Sequence, residues 1–249
     1  MKCEKKIHLI MPMAGRGSRF SSAGYDCPKP LIPIYGKPFF YWAVQSIRKF
    51  VSLKSLCFVV LQEHVDAFSI DTEIRACFPE AEIVVLPDVT AGAVMTCLEG
   101  CRGIGDDCPV VFNDCDHLFK SSRWNAYCAA GDFSAPDGIL LTFRSDENKY
   151  SFLAHGPDGN VIRTVEKQVI SNDAICGCYY FKNAETFRRV ADGYIHNCPD
   201  PEFFMSGVYN ALVAEGKTVR GMATDYHIPF GVPEEYVLAE NDLNYKELL

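Results

Sequence analysis

The chain has 249 residues, of which 48% are hydrophobic and 22% charged, as in an ordinary folded protein with a full core. Its formal net charge of −8 argues against a general nucleic-acid binder, which would carry a basic face. No apolar run approaches the roughly 20 residues that span a bilayer, and the amino-terminal MKCEKK segment does not resemble a signal peptide. The sequence therefore predicts a soluble, cytoplasmic protein without a membrane or nucleic-acid partner.

The first predicted element is a buried strand, because residues 7–11 form an apolar run. The loop after it contains two glycines and several cations: Gly15, Gly17, Arg16, Arg19 and, between two prolines, Lys29. Glycine lets the backbone approach a ligand closely, and exposed N–H groups with Arg and Lys side chains balance phosphate charge. The stretch therefore indicates a polyphosphate-binding loop, although the two glycines alone also fit a flexible, basic surface turn.

Two common nucleotide motifs do not match this loop. The dinucleotide fingerprint requires a third glycine at the sixth position counted from Gly15, where this sequence has Phe20. A P-loop requires Gly-Lys-Ser/Thr five residues after its first glycine, and the loop lacks it. The positions of Arg19 and of the Pro-Lys-Pro-Leu segment at residues 28–31 favour a phosphate site over a plain surface turn.

The segments after the loop alternate between helical and strand patterns. Helical spacing of apolar residues begins near Pro38 and recurs at residues 70–78 and 94–101. Near-continuous apolar runs predict strands that are covered on both faces. They lie at residues 55–61, 82–86 and 109–112. This alternation predicts an α/β fold with βαβ units, a mostly parallel mixed sheet and helices on both faces.

The second half of the chain is richer in strands. Strand patterns lie at residues 138–144, 150–155, 161–166 and 174–182, with a hairpin turn at residues 157–160. Helical patterns follow at residues 185–194 and 205–215. Since no linker or internal repeat interrupts the sequence, residues 1–249 are predicted to form a single domain. Its two halves would be about 1–135 and about 136–249.

Two carboxylates follow the predicted strand at residues 109–112. In open α/β sheets ligands collect at the carboxyl ends of strands, so Asp114 and Asp116 should lie near the opening loop. Carboxylate oxygens suit Mg²⁺, which bridges them to substrate phosphates. The alternative is a turn that caps a helix beginning near Ser121. Two histidines in polar loops, His117 and the distant His227, are expected to have surface or capping roles.

Glu166 and Lys167 end another predicted strand, where the lysine would pair with a second phosphate or simply extend into solvent. The twelve cysteines include no CxxC pair. Cys97 and Cys101 have helical spacing and two others have strand spacing, at residues 176 and 178. The sequence therefore predicts buried, reduced thiols in the core instead of a metal site or disulfides.

Residues 12–20 and 28–33 (PMAGRGSRF and PKPLIP) resemble the signature of the sugar-phosphate nucleotidylyltransferases, also called nucleoside-diphosphate-sugar pyrophosphorylases. The resemblance extends over nearly the whole chain through four further segments. They are Thr90–Ala93, Asn113–Asp116, Val165–Lys167 and Ile175–Phe181. It implies a GT-A-like, Rossmann-like nucleotide-binding fold. It also implies a Mg²⁺-dependent enzyme that joins a nucleoside triphosphate to a sugar 1-phosphate or similar compound and releases pyrophosphate, with a role expected in polysaccharide or cell-surface biosynthesis.

The resemblance also implies roles for individual residues of this sequence. The catalytic residues would be Arg19, Lys29 and Asp116. The nucleotide-binding residues would be Met13, Ala14, Gly15, Arg16, Gly17, Ser18 and Gly92. The acceptor-binding residues would be Glu166, Lys167 and Gly177. Asp116 would hold Mg²⁺, with Asp225 as a candidate second ligand.

The chain departs from the family pattern near its carboxyl end, where relatives often have Gly-Thr-Pro and this sequence has Gly-Val-Pro at residues 231–233. The segment at residues 201–204, expected on the acceptor side, also differs from the family pattern. The identities of the base and the acceptor, and the oligomeric state, therefore stay open. A GT-A-type glycosyltransferase that uses a nucleotide sugar and a non-catalytic nucleotide-binding module are the alternative hypotheses.

Overall fold

The computed structural model describes residues 6–249; residues 1–5, which include Cys3 and most of the amino-terminal MKCEKK segment, lie outside it. The strands are β1 (Ile7–Pro12), β2 (Pro33–Ile34), β3 (Lys37–Pro38), β4 (Leu53–Leu61), β5 (Glu82–Leu86), β6 (Val110–Asn113), β7 (His117–Lys120), β8 (Gly138–Arg144), β9 (Phe152–His155), β10 (Val161–Val165), β11 (Asp173–Phe181), β12 (Val219–Ala223) and β13 (Tyr226–Pro229). The α-helices are α1 (Ser18–Ser22), α2 (Phe39–Arg48), α3 (Gln62–Phe68), α4 (Ile70–Cys77), α5 (Ala93–Gly100), α6 (Ser122–Ala130), α7 (Ala184–Asn197), α8 (Met205–Ala214) and α9 (Pro233–Ala239).

Within residues 6–249, nine strands form one mixed sheet. Seven follow the order β10-β9-β11-β6-β1-β4-β5, while β8 pairs with β11 and β12 pairs with β8. Strand β1 is parallel to both β4 and β6. The loop after β1 and the acidic segment after β6 therefore leave the same edge of the sheet, as the sequence predicted. The α/β class and the largely parallel central sheet are confirmed.

Helices cover both faces of the sheet because successive side chains of a strand point to opposite faces. Leu9 of β1 packs in the apolar cluster that contains the buried face of α2, and its neighbour Ile10 packs in the cluster that contains α5, α7 and α8. Both side chains are fully buried. Burial of a leucine or isoleucine of this kind stabilises the fold by about 1.5–3 kcal/mol.

A third apolar cluster closes the region beside the opening loop. It contains Phe20 of α1, Trp42 of α2 and Phe230, which follows β13. Strands β7 and β13 pair antiparallel in a separate ribbon next to it. The sequence analysis placed His117 in a polar loop and expected no strand where β7 lies, and that prediction was wrong. The partner strand is about a hundred residues away in the chain, so no local pattern reveals the pairing.

Most other predicted elements agree with the structure to within a few residues. The helix expected from Pro38 is α2, which begins directly after that residue, and the helix expected near Ser121 is α6, whose Trp124 N–H donates to the Ser121 hydroxyl. Cys97 and Cys101 are buried as predicted. The sequence analysis missed α3 and α9. In the described part of the chain, none of the helices has both the length and the apolar character needed to cross a membrane.

Candidate active site

The opening loop turns sharply after β1. The Met13 N–H donates to the Val59 carbonyl at 2.8 Å, which extends the β1–β4 ladder by one residue. Gly17 has φ +61°, and a Cβ atom at this position would lie 2.8 Å from Lys29 Cβ. A glycine is required at position 17 because of this turn and this contact, whereas Gly15 has open space beside it. The N–H groups of Gly15, Arg16 and Gly17 have no acceptor among residues 6–249.

The two arginines of the loop are placed differently. Arg16 is exposed and forms ion pairs with Glu63 at 3.3 Å and Asp88 at 2.9 Å. Those contacts tie the loop to its neighbours on the surface. Arg19, on α1 after Ser18, lines a cavity at this edge of the sheet, and its guanidinium has no ion-pair partner within the described residues. Arg19 is therefore the loop arginine that is available to a ligand.

Lys29 and Asp116 join the loop to the end of β6. Lys29 Nζ lies 2.8 Å from Asp116 Oδ2, and each side chain is about one-fifth exposed (21%). Burial would raise the pKa of Asp116, but the charge and hydrogen bond of Lys29 lower it below its usual value. Burial would likewise lower the pKa of Lys29, yet Asp116 raises it. The pair is therefore ionised across the physiological pH range.

Asp114 lies beside this pair in a position that depends on Gly177. The Asp114 N–H donates to the Gly177 carbonyl at 2.9 Å, where β11 departs from regular register. Gly177 has φ +91°, and a Cβ atom there would lie 2.7 Å from Asp114 Oδ2. Burial and the nearby Asp116 raise the pKa of Asp114. No N–H or O–H group of residues 6–249 donates to its carboxylate.

Asp114, Asp116 and Gly177 line a cavity of about 240 Å³, and Lys29 contacts it only through Asp116. Its charged lining consists of four carboxylates and two cations: Asp114, Asp116, Glu166, Glu235, Arg19 and Lys149. Two neighbouring carboxylates with one unpartnered member form the hard-oxygen donor set that Mg²⁺ prefers, and Mg²⁺ takes its other ligands from water and substrate phosphates. Asp114 and Asp116 therefore fit a magnesium ion. Among the described residues no group of three or more His, Cys, Asp or Glu side chains converges on one metal position.

Asp225 lies apart from this pair. Its carboxylate accepts hydrogen bonds from the Ser122 N–H at 3.0 Å and the Ser122 hydroxyl at 2.6 Å, which places it at the start of α6. Its own N–H donates to the Lys120 carbonyl, at the end of β7 opposite to Asp116. The expectation that Asp225 joins Asp116 in a metal site does not agree with this placement, because the β7–β13 ribbon separates the two carboxylates.

Glu166 and Lys167 lie on the far side of the cavity from the opening loop. Glu166 accepts hydrogen bonds from the hydroxyls of Ser151 and Ser206. Lys167 has φ +52°, and its ammonium group lies 5.0 Å above the ring of Phe204. Phe204 and Glu166 line the cavity, while Lys167 is exposed at its rim. The structure thus brings Glu166 and Gly177 to the same cavity as Asp114 and holds Lys167 just outside it.

Sequence analysis missed the segment that closes this cavity. Glu235 in the first turn of α9 accepts hydrogen bonds from the Tyr150 hydroxyl at 2.5 Å and the Gly231 N–H at 2.9 Å, and pairs with Lys149 Nζ at 2.9 Å. A Cβ atom at Gly231 would lie 2.5 Å from Asp116 Oδ2. The proline and two glutamates at residues 233–235 are a helix-start signal that could have identified α9.

The two histidines also differ from expectation, since His117 is buried and both line the cavity. Asn113 uses its Nδ2 to donate to the Ala43 carbonyl, so its Oδ1 accepts from His117 Nε2 at 3.1 Å. His117 Nδ1 then accepts from His227 Nε2 at 3.2 Å. Burial lowers the pKa of His117 to about 4 and also lowers that of His227. Both rings are therefore neutral at pH 7, and they are wall groups of the cavity.

A second cavity, of about 280 Å³, adjoins the first and shares Ala93 with it. Ala14, Gly15 and Gly92, to which the family resemblance assigns nucleotide binding, line it. Met13 does not, because its side chain is buried in the core and its N–H donates within the sheet. The two cavities therefore meet at the first residue of α5.

Comparisons with known proteins agree with this arrangement. The family model described as nucleotidyl transferase matches residues 8–242. A search of curated protein sequences found no match. The chain resembles the nucleoside-diphosphate-sugar pyrophosphorylase of Vibrio cholerae RC9, with 24% identity, a TM-score of 0.78 and coverage of 94% of this chain and 100% of that one.

Two further solved structures resemble this chain over most of their length. The inositol-1-phosphate CTP transferase of T. maritima has 16% identity and a TM-score of 0.73, with 96% of each chain covered. A putative glucose-1-phosphate thymidylyltransferase of Bacillus anthracis has 17% identity and a TM-score of 0.71, with 95% of this chain and 96% of that one covered. At these identities the likenesses show a common fold.

Proposed function

Since the chain belongs to the nucleotidyl transferase family, we propose that it joins a nucleoside triphosphate to a sugar 1-phosphate or similar phosphorylated small molecule and releases pyrophosphate. The observation that carries this proposal is the Lys29–Asp116 pair at 2.8 Å, which places a fixed cation and a carboxylate between the opening loop and the cavity. Family membership favours nucleotidyl transfer over the glycosyltransferase hypothesis. We further propose a role in polysaccharide or cell-surface biosynthesis and a cytoplasmic location.

The proposed reaction is an in-line attack of the acceptor phosphate on the α-phosphorus of the triphosphate. Arg19 and Lys29 would bind the triphosphate and stabilise the negative charge that develops on departing pyrophosphate, so the protein contributes positioning and electrostatics without a covalent step. The loop N–H groups from Gly15 to Gly17 and Ser18 would face the phosphates, with Arg16 supporting the loop through its surface ion pairs.

Asp114 and Asp116 would hold Mg²⁺, which when bound neutralises phosphate charge. This assignment rests on the unpartnered, half-buried carboxylate of Asp114 beside Asp116. Asp225 is left out because it caps α6. The nucleotide would lie mainly on residues 1–135 and the acceptor mainly on residues 136–249, where Glu166, Lys167 and Gly177 border its cavity.

Pyrophosphate release tests the proposed function. The four ribonucleoside triphosphates and dTTP would be combined with sugar 1-phosphates and phospho-alcohols in the presence of Mg²⁺. We expect turnover with at least one pair, and a loss of roughly 100- to 1000-fold in Lys29→Ala, because a cation near the developing charge is removed. Lys49→Ala, an exposed lysine at the end of α2, is the matched control and should keep full activity.

A double variant distinguishes loss of catalysis from loss of activity through misfolding. Lys29→Ala leaves Asp116 as an unpaired, mostly buried carboxylate, which should lower the free energy of unfolding by about 3 kcal/mol. Lys29→Met combined with Asp116→Asn removes both charges and should recover most of that stability in urea unfolding while staying inactive. Absence of pyrophosphate with every pair, or undiminished turnover in Lys29→Ala, would contradict the proposed function.

A further inference from the structure

The side chains of the second cavity offer only hydrogen-bond acceptors to a ligand. Its wall includes the main chain of Pro12, Ala14 and Gly15, the turn at Gly92 and the side chains of Thr90, Thr96 and Glu202. Thr90 Oγ1 donates to the Gly92 carbonyl at 2.8 Å. Since its hydrogen is used there, the 2.8 Å contact between the two threonine hydroxyls must be donated by Thr96 Oγ1. Both hydroxyl hydrogens are therefore occupied within the protein.

Glu202 supplies the charge of this cavity. It is the only charged side chain among the described residues that line the cavity, and none of residues 6–249 pairs with its carboxylate. With the threonine hydrogens occupied, every side-chain group that remains for a ligand is an acceptor. Hydrogen-bond donors in the wall come from the main chain, where the Gly15 N–H has no partner in the described part of the chain.

The backbone holds Glu202 firmly against the Gly92 turn. The Phe203 N–H donates to the Ala91 carbonyl at 3.2 Å, and the Val94 N–H donates to the Phe203 carbonyl at 3.1 Å. A Cβ atom at Gly92 would lie 2.5 Å from Phe203 N and 3.0 Å from Glu202 Cγ. Only glycine fits at position 92, because residues 202–203 cross directly over it. The crossing also fixes the position from which the Glu202 carboxylate reaches the cavity.

The nucleotide-binding role proposed for Ala14, Gly15 and Gly92 assigns the base of the triphosphate to this cavity. We propose that Glu202 selects bases with an exocyclic amino group over uracil and thymine. The inference rests on the proposed function, which supplies the nucleotide. An amino group of cytosine, adenine or guanine donates hydrogen bonds to a carboxylate. Uracil and thymine present carbonyl oxygens on either side of their ring N–H, and those oxygens are repelled by an anionic acceptor. Glu202 is thus a specificity-determining residue for the nucleotide, on a segment that the sequence analysis placed on the acceptor side.

Nucleotide binding without acceptor tests the assignment independently of turnover. Calorimetry would compare CTP, ATP, GTP, UTP and dTTP with Mg²⁺ on the full chain. A hydrogen bond to a charged acceptor changes the binding affinity by roughly 10- to 100-fold. We expect at least one of CTP, ATP and GTP to bind 10-fold or more tightly than both UTP and dTTP. In Glu202→Gln, whose amide offers a donor as well as an acceptor, this preference should narrow to within about 3-fold.

Asp200→Asn is the matched control, since it removes a carboxylate two residues away that does not line the cavity, and it should keep the wild-type preference. Circular dichroism would verify that each variant is folded. Equal or tighter binding of UTP or dTTP to the wild type, or an unchanged preference in Glu202→Gln, would overturn the inference. A base preference that depends on Glu202, without pyrophosphate release from any substrate pair, would support the inference while rejecting the proposed function.

Discussion

At the scale of single residues, the conformation of Gly177 controls the space available to a carboxylate. The residue has φ +91°, a value that favours glycine, and the side chain of Asp114 occupies the place where a Cβ atom would lie. The family resemblance implied a role for Gly177 in acceptor binding. Its immediate contact in the structure is with a proposed magnesium ligand, so we expect its substitution to act through Asp114.

Gly177→Ala should displace the Asp114 carboxylate, because the new Cβ atom would lie 2.7 Å from Oδ2. We expect activity to fall at least about 10-fold with a higher half-saturating Mg²⁺ concentration, since the metal ligands would be misplaced. The strained φ should also lower the free energy of unfolding by about 1–3 kcal/mol. Mg²⁺ titrations of pyrophosphate release and urea unfolding measure the two effects.

Gly193→Ala provides the control for this substitution. Gly193 lies within α7, and a Cβ atom added there would meet no side chain of another element within 4 Å, so alanine fits. Activity should be unchanged, and the free energy of unfolding should rise by about 0.5–1 kcal/mol because alanine favours the helix. An unaltered Mg²⁺ dependence in a folded Gly177→Ala protein would show that Asp114 does not bind the metal.

At the scale of elements, the connection from β13 to α9 closes the cavity that Asp114 and Asp116 line. Its Gly231 passes within contact distance of Asp116, and Glu235 in the first turn of α9 holds both Lys149 and Tyr150 at the cavity wall. The difference from the Gly-Thr-Pro pattern of relatives therefore falls in a segment that shapes the site. The short helix is useful here because it presents a buried carboxylate, Glu235, toward three donors at once.

Glu235→Gln keeps the size of the side chain and removes its charge. Lys149 would keep only its ion pair with Glu147, at 2.8 Å, and would be held less firmly at the wall. We expect the KM for the phosphorylated acceptor to rise about 5- to 20-fold and the free energy of unfolding to fall by about 2 kcal/mol. The KM for the nucleotide should change less than about 2-fold. Steady-state kinetics with each substrate varied in turn would separate these constants.

The neighbouring Glu234 offers the control, because it is exposed on the same first turn of α9. Glu234→Gln should leave both KM values at the wild-type level. An equal rise in the nucleotide and acceptor KM values for Glu235→Gln would mean that the turn supports the cavity as a whole and would refute an acceptor-specific role.

At the scale of the whole molecule, burial keeps several histidines neutral. The pKa values of His8, His64, His117 and His227 are all lowered, in each case chiefly by burial. A base whose pKa is lower in the folded state binds fewer protons there than in the unfolded state. Stability is therefore full above the unfolded pKa of about 6.5 and is lost as the pH falls through that value.

We expect the free energy of unfolding to decrease between pH 7 and pH 5, by up to about 1.4 kcal/mol per pH unit for each such histidine. His64, which is 4% exposed on α3, provides the test. His64→Gln should flatten this slope in urea unfolding across that pH range. His196→Gln, a substitution at an exposed position of α7, should leave the slope unchanged. The raised pKa of Asp114 has the opposite effect on the pH dependence of the free energy of unfolding. The test therefore compares the slope of each variant with that of the wild type and does not interpret the absolute slope.

The sequence by itself determined the features that depend on contiguous residues. The apolar runs of β1, β4 and β6 and the helical spacing in α2 follow from burial of neighbouring side chains, and burial leaves a periodic pattern in the chain. The placement of Lys29 and Asp116 at one edge also followed, because parallel strands bring their carboxyl ends together. These patterns were sufficient for the α/β class, the family resemblance and the approximate position of the site.

Only the tertiary structure decided which distant groups meet. Lys29 pairs with Asp116 across 87 residues, and β13 pairs with the unpredicted β7. Glu235 reaches the cavity beside Asp116, and Glu202 reaches the second cavity beside Gly92, from segments with no local signal of a ligand. Asp225 instead binds the first turn of α6. The physical reason is that a side chain's role depends on the partners that the completed fold places around it. Those partners come from segments far apart in the chain, and no local periodicity specifies them.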